Sequence, residues 1–192
     1  MTLKIPSTII SIGNEAFNAC EIDKLFLSDL ESYMNIEFAN ESSCPLSHAK
    51  QVIIDGKEIV DYEIPSSITN INDYTFSSVA NMRSVSIPNS VTRIGEKAFS
   101  YCSNLVSITI PNSVKTIGSF AFAHCSNLRS IEIPNSVTGI NNGAFCDCTS
   151  LSSITIPQGI DCINNSTFYG CTGLTSINID DNIRNIDEYI SR

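Results

Sequence analysis

The chain has 192 residues, of which 42% are hydrophobic and 16% charged, so it can bury a core of one or two domains and is not disordered. Its net charge of −9 comes mostly from residues 1–73, which hold 12 acidic and four basic side chains, and it lacks the basic stripe that binds nucleic acid. An anionic membrane would repel such a chain, and no apolar run approaches the ~20 residues that cross a bilayer, so membrane insertion is not expected.

The first predicted element is a strand at Leu3–Ile5, which ends at Pro6. Because this proline comes before any apolar segment forms, no secretory signal peptide is expected in the chain. From Pro65 onward a proline follows a predicted strand every 23 residues, and other columns of the same period hold phenylalanine and cysteine. The phenylalanine column contains Phe76, Phe99, Phe122, Phe145 and Phe168.

Between Pro6 and Pro65 the spacing is irregular, and residues 28–58 are predicted to form an insert within the array. Ser28 and Glu31 have the spacing of a capping box, which predicts a short helix. Farther along, Asp55-Gly56 suits a type I′ turn between two apolar segments, so a β-hairpin is expected there. Residues 1–192 are then one domain with about eight strand rungs, one of which carries the insert.

Each regular unit contains a segment such as 107–110, Ser-Ile-Thr-Ile, whose alternation predicts a half-buried strand. A strand that recurs every 23 residues in one orientation must stack in parallel on its neighbours. The return path is too short for a long helix, so helical or 3₁₀ turns are expected at positions such as 95–99. The predicted fold class is a repeat solenoid, a right-handed coil with one parallel β-sheet face and short helical or 3-10 return segments.

The elements Ile-Pro-Asn-Ser-Val, Ala-Phe-x-x-Cys and Leu-x-Ser-Ile-x-Ile resemble the BspA-type leucine-rich repeats of surface proteins from gut and oral bacteria and some parasitic protists. The resemblance extends from Met1 to the last rung near Asn185. It implies a leucine-rich-repeat-like solenoid and a non-catalytic adhesion or interaction protein, extracellular or at the cell surface. Extracellular-matrix or cell-surface proteins, which are partners of some members, are the partners that the resemblance implies.

Both ends of the array lack the polar caps that solenoids normally carry. The first strand begins almost at residue 1, and the last rung stops at Arg192 before its phenylalanine and cysteine columns. Bare parallel edges invite strand addition. Two interpretations stay open: the chain is part of a longer array, or its ends pair with another copy in end-to-end self-association.

Eight cysteines raise the question of disulfides or a metal site. Five share one column, and side chains that point the same way from coils about 5 Å apart have poor geometry for a disulfide. We expect buried, reduced thiols there, with Cys44 or Cys146 alkylated first. No second ligand pair lies at zinc spacing, so neither a metal nor another cofactor is expected. The column is Cys20, Cys102, Cys125, Cys148 and Cys171.

A nucleophile set can be written from His124, Asp147 and Cys146, which occupy the same or adjacent columns. Repeats place every column beside itself, however, so such neighbours arise without catalysis, and nothing indicates an oxyanion hole or a pocket. We expect a surface contact between His124 and Asp147, no catalytic residue and no enzyme activity.

The outward strand positions form the surface on which a solenoid usually binds. In the five C-terminal rungs these positions are Ser, Thr, Asn and Glu, whereas the rungs beside the insert present Lys24, Phe26, Asp61 and Glu63. Together with Tyr33 of the insert, these four residues are the predicted partner-binding site, because a few aromatic and charged anchors carry most interface affinity. The alternative is that Phe26 packs the insert against the sheet.

Two functions stay open. One is a protein-interaction or adhesion module of a microbial surface protein, which binds a host or cell-surface protein through the strand face near the insert. The other is a structural spacer or repeat fragment without a binding role of its own, which the aromatic-poor strand face also permits. If the first is correct, the acidic excess of residues 1–73 favours a basic partner.

Overall fold

The computed structural model describes residues 1–188, in which short parallel strands form a β-solenoid of about eight turns. Each regular turn passes through a front strand, a two-residue strand of a second row and a segment of turns, whereas the front strand Ala49–Ile54 has no second-row strand of its own among the described residues. The front strands are Thr2–Ile5, Ile22–Leu27, Ala49–Ile54, Asp61–Glu63, Ser84–Ser86, Ser107–Thr109, Ser130–Glu132, Ser153–Thr155 and Ser176–Asn178. The second row is Ser11–Ile12, Glu37–Phe38, Asn70–Ile71, Arg93–Ile94, Thr116–Ile117, Gly139–Ile140, Cys162–Ile163 and Asn185–Ile186.

Strand pairing follows the 23-residue period of the sequence. Ile108 lies opposite Ile131 in a parallel ladder, and Thr109 lies opposite Glu132. Because side chains alternate across a strand, the central isoleucines point into the core while their neighbours face solvent. The predicted fold class, a parallel solenoid of leucine-rich-repeat type, is confirmed.

The core is a stack of phenylalanine rings that runs along the solenoid. Rings of successive coils lie 5.4 to 5.8 Å apart between centroids with interplanar angles of 2° to 12°, and all five are fully buried. Tyr62 meets the first of them, Phe76, edge-on at 5.4 Å and 68°. The 23-residue period therefore places identical phenylalanine rings in a stack along the core.

The return segments of the regular coils are consecutive turns rather than the expected helical or 3₁₀ pieces. The amide of Ala98 donates to the Gly95 carbonyl within its own turn, whereas the amide of Phe99 donates to the Ala121 carbonyl of the next coil. Alternate amides thus bind neighbouring coils, which requires left-handed residues such as Lys97 (φ 49°) and prevents a continuous helix. Within residues 1–188, 3₁₀ helix occurs in the insert, at Glu41–Ser43 and Pro45–His48.

The insert begins with the helix Leu30–Met34. Its N-cap is Asp29, whose carboxylate accepts from the Ser32 amide at 2.7 Å, so the predicted capping box at Ser28 is wrong. The Ser28 hydroxyl instead donates to the Ile5 carbonyl at 3.3 Å. No helix among residues 1–188 is both long enough and apolar enough to traverse a bilayer.

The rest of the insert forms a hairpin and an additional front strand. Lys57–Glu58 pairs antiparallel with the end of Ala49–Ile54, across a turn in which Asp55 and Gly56 have φ values of 51° and 74°. Positive φ at both positions is the requirement of a type I′ turn. Ala49–Ile54 also pairs in parallel with Ile22–Leu27, so the insert contributes a strand to the front sheet.

Candidate functional site

Four of the predicted site residues, Lys24, Phe26, Asp61 and Glu63, lie on the outer surface of front strands and are called the strand-face patch. Three of them are exposed, and Phe26 is half-buried. Their outward orientation follows from alternation, because the residues between them, Leu25 and Tyr62, are buried in the core.

The ring of Phe26 borders an open depression of about 500 Å³ at the end of the first two front strands. Lys4 lies directly opposite Phe26 in the strand ladder, and its Nζ stands 5.8 Å from the ring centroid. This distance permits a cation–π contact that holds one side of the ring. Sequence reasoning did not include Lys4, although the 22-residue offset between Lys4 and Phe26 marks it as the neighbour one coil away.

Asp61 and Glu63 form the acidic part of the patch. The Ser84 hydroxyl donates to the Asp61 carboxylate at 2.7 Å, and Glu63 lies opposite Ser86. Both edges of the strand that carries Phe26 are already occupied, by Thr2–Ile5 and Ala49–Ile54. Phe26 and the acidic pair therefore lie in different sheets. The sequence suggested adjacent rungs, but the front strand Ala49–Ile54 of the insert occupies the place beside the strand of Phe26.

Tyr33 does not belong to the surface, so its assignment as a partner-binding residue is wrong. Its side chain is 1% exposed, and its hydroxyl donates to the Thr75 carbonyl at 2.9 Å and lies 3.2 Å from the Cys44 sulfur. Burial raises the pKa of this phenol well above its ordinary value. The short helix of the insert directs the Tyr33 ring inward, where its centroid lies 5.5 Å from that of Phe38. The hydrogen bond to Thr75 connects the insert to the following coil.

The cysteine column forms an interior row of thiols. Each of its four C-terminal members donates to the carbonyl of a phenylalanine in the preceding coil, at 3.0 to 3.2 Å. Burial raises the pKa of these thiols, to about 12 for Cys102 and about 11 for Cys171. All eight cysteines are free.

The expected order of thiol exposure needs correction. Cys44 is fully buried and Cys146 is nearly so, because the insert folds Cys44 into the core and the turn covers Cys146. The partly exposed thiols are instead those of Cys20 and Cys162. These two are the positions that a reagent in solution reaches first.

A surface called the turn face is formed by the return turns of the regular coils, at 96–101, 119–124, 142–147 and 165–170. This face brings His124, Asp147 and Cys146 together as the columns predict. His124 Nδ1 lies 3.4 Å from Asp147 Oδ2, and the Cys146 thiol donates to the same oxygen at 3.3 Å. Burial, followed by the hydrogen bond to the carboxylate, raises the pKa of Cys146 to about 12. Such a thiol is protonated at neutral pH and is a poor nucleophile. Within residues 1–188, no three His, Cys, Asp or Glu side chains are grouped as metal ligands.

The turn face also carries exposed aromatic rings, two of which, Tyr101 and Tyr169, sequence reasoning did not single out. Tyr101 is 47% exposed and stacks on His124 at 4.1 Å, while Phe120 and Tyr169 are each 36% exposed. These residues lie in columns that hold different residue types in other coils. That variation was the available signal, since a column with a structural role keeps its residue type.

The sequence profile of the BspA type leucine rich repeat region matches the chain in six copies, over residues 1–77, 49–145 and 69–191. These ranges include the stacked phenylalanine and cysteine columns as well as the insert. No curated protein shows a significant match to the chain.

Three solved bacterial structures are similar. The T. pallidum leucine rich repeat protein (TpLRR) aligns with a TM-score of 0.63 and 21% identity, over 95% of this chain and 77% of that one. A leucine-rich repeat protein from Bacteroides ovatus aligns with a TM-score of 0.52 and 23% identity, over 97% of this chain and 62% of that one. The pneumococcal vaccine antigen PcpA aligns with a TM-score of 0.57 and 17% identity, over 97% of this chain and 56% of that one. These identities support the fold, and the profile match over nearly the whole length carries the assignment further: the chain belongs to the BspA type leucine-rich repeat family.

Proposed function

We propose that this chain is a non-catalytic protein-interaction module of a microbial surface protein, and that the strand-face patch is where its partner binds. The family is one of bacterial surface proteins, which supports an interaction role. An extracellular-matrix or host cell-surface protein is the class of partner that fits such a location. The raised pKa of the Cys146 thiol, beside His124 and Asp147, makes it a poor nucleophile, which supports a non-catalytic role.

The observation that carries the proposal is the position of Phe26. Among the outward positions of the front strands in residues 1–188, it is the aromatic one, and it borders an open depression. Aromatic side chains of this kind dominate interface energetics because they bury a large area at small entropic cost. The contact with Lys4 pre-orients the ring before a partner arrives.

The charge of the N-terminal coils supports a basic partner. Asp61 and Glu63 are exposed, and residues 1–73 hold 12 acidic against four basic side chains. A basic partner surface would be attracted to this end of the solenoid, which raises the association rate. One anchor and a few rim charges give weak affinity for a single copy, so firm adhesion needs display of many copies.

The experiment immobilises the chain and measures binding of extracellular-matrix and cell-surface proteins by surface plasmon resonance. Phe26→Ser should weaken binding of a true partner about tenfold or more, as loss of a hot spot does. Ser153→Ala, on the neutral part of the same face, is the matched control and should bind like the wild type. A panel without any partner would instead identify the chain as a structural spacer, and equal binding by Phe26→Ser would remove the patch from the interface.

End-to-end association of two copies is a second proposal. Ile179 and Ile186 of the last described coils are about half exposed, and Ile10 at the other end is largely exposed. Apolar side chains beside open strand edges favour strand addition. Sedimentation velocity over a concentration series tests this: a rising sedimentation coefficient is expected, and a concentration-independent monomer would contradict it.

A further inference from the structure

A groove runs across the C-terminal ends of the front strands in the regular coils. It consists of two depressions, of about 610 and 320 Å³, which share Ile133 and Asn135. Its lining includes the isoleucine that follows each of five front strands, from Ile87 to Ile179 at intervals of 23 residues, and three prolines, Pro111, Pro134 and Pro157. The repeat thus produces two open depressions that adjoin at Ile133 and Asn135 and together cross the ends of five strands.

One wall of the groove is a row of side-chain amides. Asn89, Asn112 and Asn135 line it from three successive coils, and all three are exposed. Among residues 1–188, none of the three side-chain amides has a hydrogen-bond partner, whereas Asn104 and Asn127 use theirs to bind backbone carbonyls of the preceding coil. Each free amide presents a donor and an acceptor, which suits the C=O and N–H groups of a peptide backbone.

The charges in the groove have one sign. The two depressions are lined by Glu132 and Asp180, and their described lining includes no Lys, Arg or His. The two neighbouring coils carry Thr109 and Thr155 where Glu132 stands, and the Glu132 side chain is exposed. Asp180 accepts from the Asp181 amide through one oxygen, and its other oxygen has no hydrogen-bond donor among residues 1–188.

We propose that this groove binds an extended peptide segment that contains lysine or arginine. Apolar side chains of the segment would lie on the isoleucines and prolines, its backbone would bind the asparagine row, and its cationic side chains would meet Glu132 and Asp180. The five coils that line the two depressions span about 19 Å at about 4.8 Å spacing, which is the length of about six extended residues. Glu132 lies three strands from Glu63, so the groove is separate from the strand-face patch.

The test uses fluorescence anisotropy with a labelled peptide of about seven residues that alternates lysine and valine. The matching peptide of glutamate and valine is the charge control. We expect the cationic peptide to bind, and the Glu132→Thr/Asp180→Asn variant to bind about two- to tenfold more weakly, as expected for two rim ion pairs. Thr is the residue of the neighbouring coils and Asn keeps the acceptor for the Asp181 amide, so this variant should fold normally.

Amide chemical shifts locate the bound peptide. Changes are expected at Ile133 and Asn135, which belong to both depressions. The variant Asp61→Ser/Glu63→Ser should bind the peptide like the wild type. Equal binding of the anionic peptide, no effect of the groove variant, or shifts centred on Asp61 would overturn the groove proposal. Loss of peptide binding in the Asp61→Ser/Glu63→Ser variant alone would also overturn the groove proposal. That result would not contradict partner binding at the strand-face patch.

Discussion

At the residue scale, a side chain in the buried phenylalanine column packs against identical side chains in the coils above and below it. Phe122 stacks on Phe99 and Phe145 with interplanar angles of 2°, and the Cys148 thiol donates to the Phe122 carbonyl. A substitution in such a column removes contacts with two coils at once. Neighbouring residues on the turn face have no such role, and the two cases can be compared within one coil.

The first prediction compares two phenylalanines of one coil. Phe122→Ala should lower the free energy of unfolding by about 3–5 kcal/mol, because it leaves a cavity in the ring stack. Phe120→Ala should cost about 1 kcal/mol or less, since that ring is 36% exposed. Urea denaturation followed by circular dichroism measures both. Equal losses at the two positions would show that the ring stack does not dominate the core.

The second prediction concerns the order of thiol alkylation. Cys20 and Cys162 should react with iodoacetamide first in the folded protein at neutral pH, because they are the partly exposed cysteines. Cys102 and Cys146 should react slowly, since burial raises the pKa of each to about 12 and the thiolate is scarce. Peptide mass mapping over time gives the order. Rapid labelling of Cys102 without denaturant, or a disulfide between column cysteines, would refute the interior row of thiols.

At the element scale, the insert is held by its turn, its cap and its contacts with the regular coils. Glu41 accepts hydrogen bonds from Ser77 and Ser78 and pairs with Lys97 at 3.1 Å, so it ties the insert to two following coils. Tyr33 adds a buried hydrogen bond to Thr75. These contacts make the insert part of the solenoid rather than a loose loop.

The third prediction tests the hairpin turn. Gly56→Ala should destabilise the protein by about 1–2 kcal/mol, because φ at this position is +74° and a side chain is strained there. Gly13→Ala is the matched control: both positions have open space around an added Cβ, but Gly13 lacks the left-handed conformation. Its effect on the urea midpoint should be neutral or slightly stabilising. A Gly56→Ala variant as stable as the control would show that the turn is not type I′.

The elements that sequence analysis predicted well are the local ones. The two residues Asp55-Gly56 are enough to predict the hairpin turn. The alternation of polar and apolar residues at 107–110 predicts which side of that strand is buried. The role of Ala49–Ile54 as a front strand was missed, because its pairing depends on the open edge of Ile22–Leu27, far away in sequence. The observed N-cap is Asp29 rather than the predicted Ser28. Both residue types are good N-caps, so the sequence does not distinguish helix boundaries that differ by one or two positions.

At the scale of the whole molecule, the 23-residue period separates what sequence can predict from what it cannot. The buried columns, such as the ring stack of Phe122, were predictable because burial repeats with the period. The candidate site was only partly predictable. Phe26 and Asp61 were correctly placed facing outward, but Tyr33 lies inside, because the direction in which an irregular insert folds is set by contacts that no period encodes.

The distribution of charge links the fold to binding. The acidic excess lies at the end of the solenoid that carries Asp61 and Glu63, while the regular coils are nearly neutral. Asp61 and Glu63 lie at outward positions of one front strand, so the proposed basic partner would meet a preformed acidic pair and would lose little conformational entropy on binding. This is the physical basis for expecting salt-sensitive association.

The salt dependence of partner binding is the most direct test of this interaction surface. The equilibrium dissociation constant would be measured at low and high salt for the wild type, for Asp61→Ser/Glu63→Ser, and for Asp161→Asn/Asp187→Asn, which removes two exposed charges elsewhere. We expect wild-type affinity to fall as salt rises, the first variant to bind weakly with little salt dependence, and the second to resemble the wild type. Affinity that is indifferent to salt and equal in all three proteins would contradict binding at the strand-face patch.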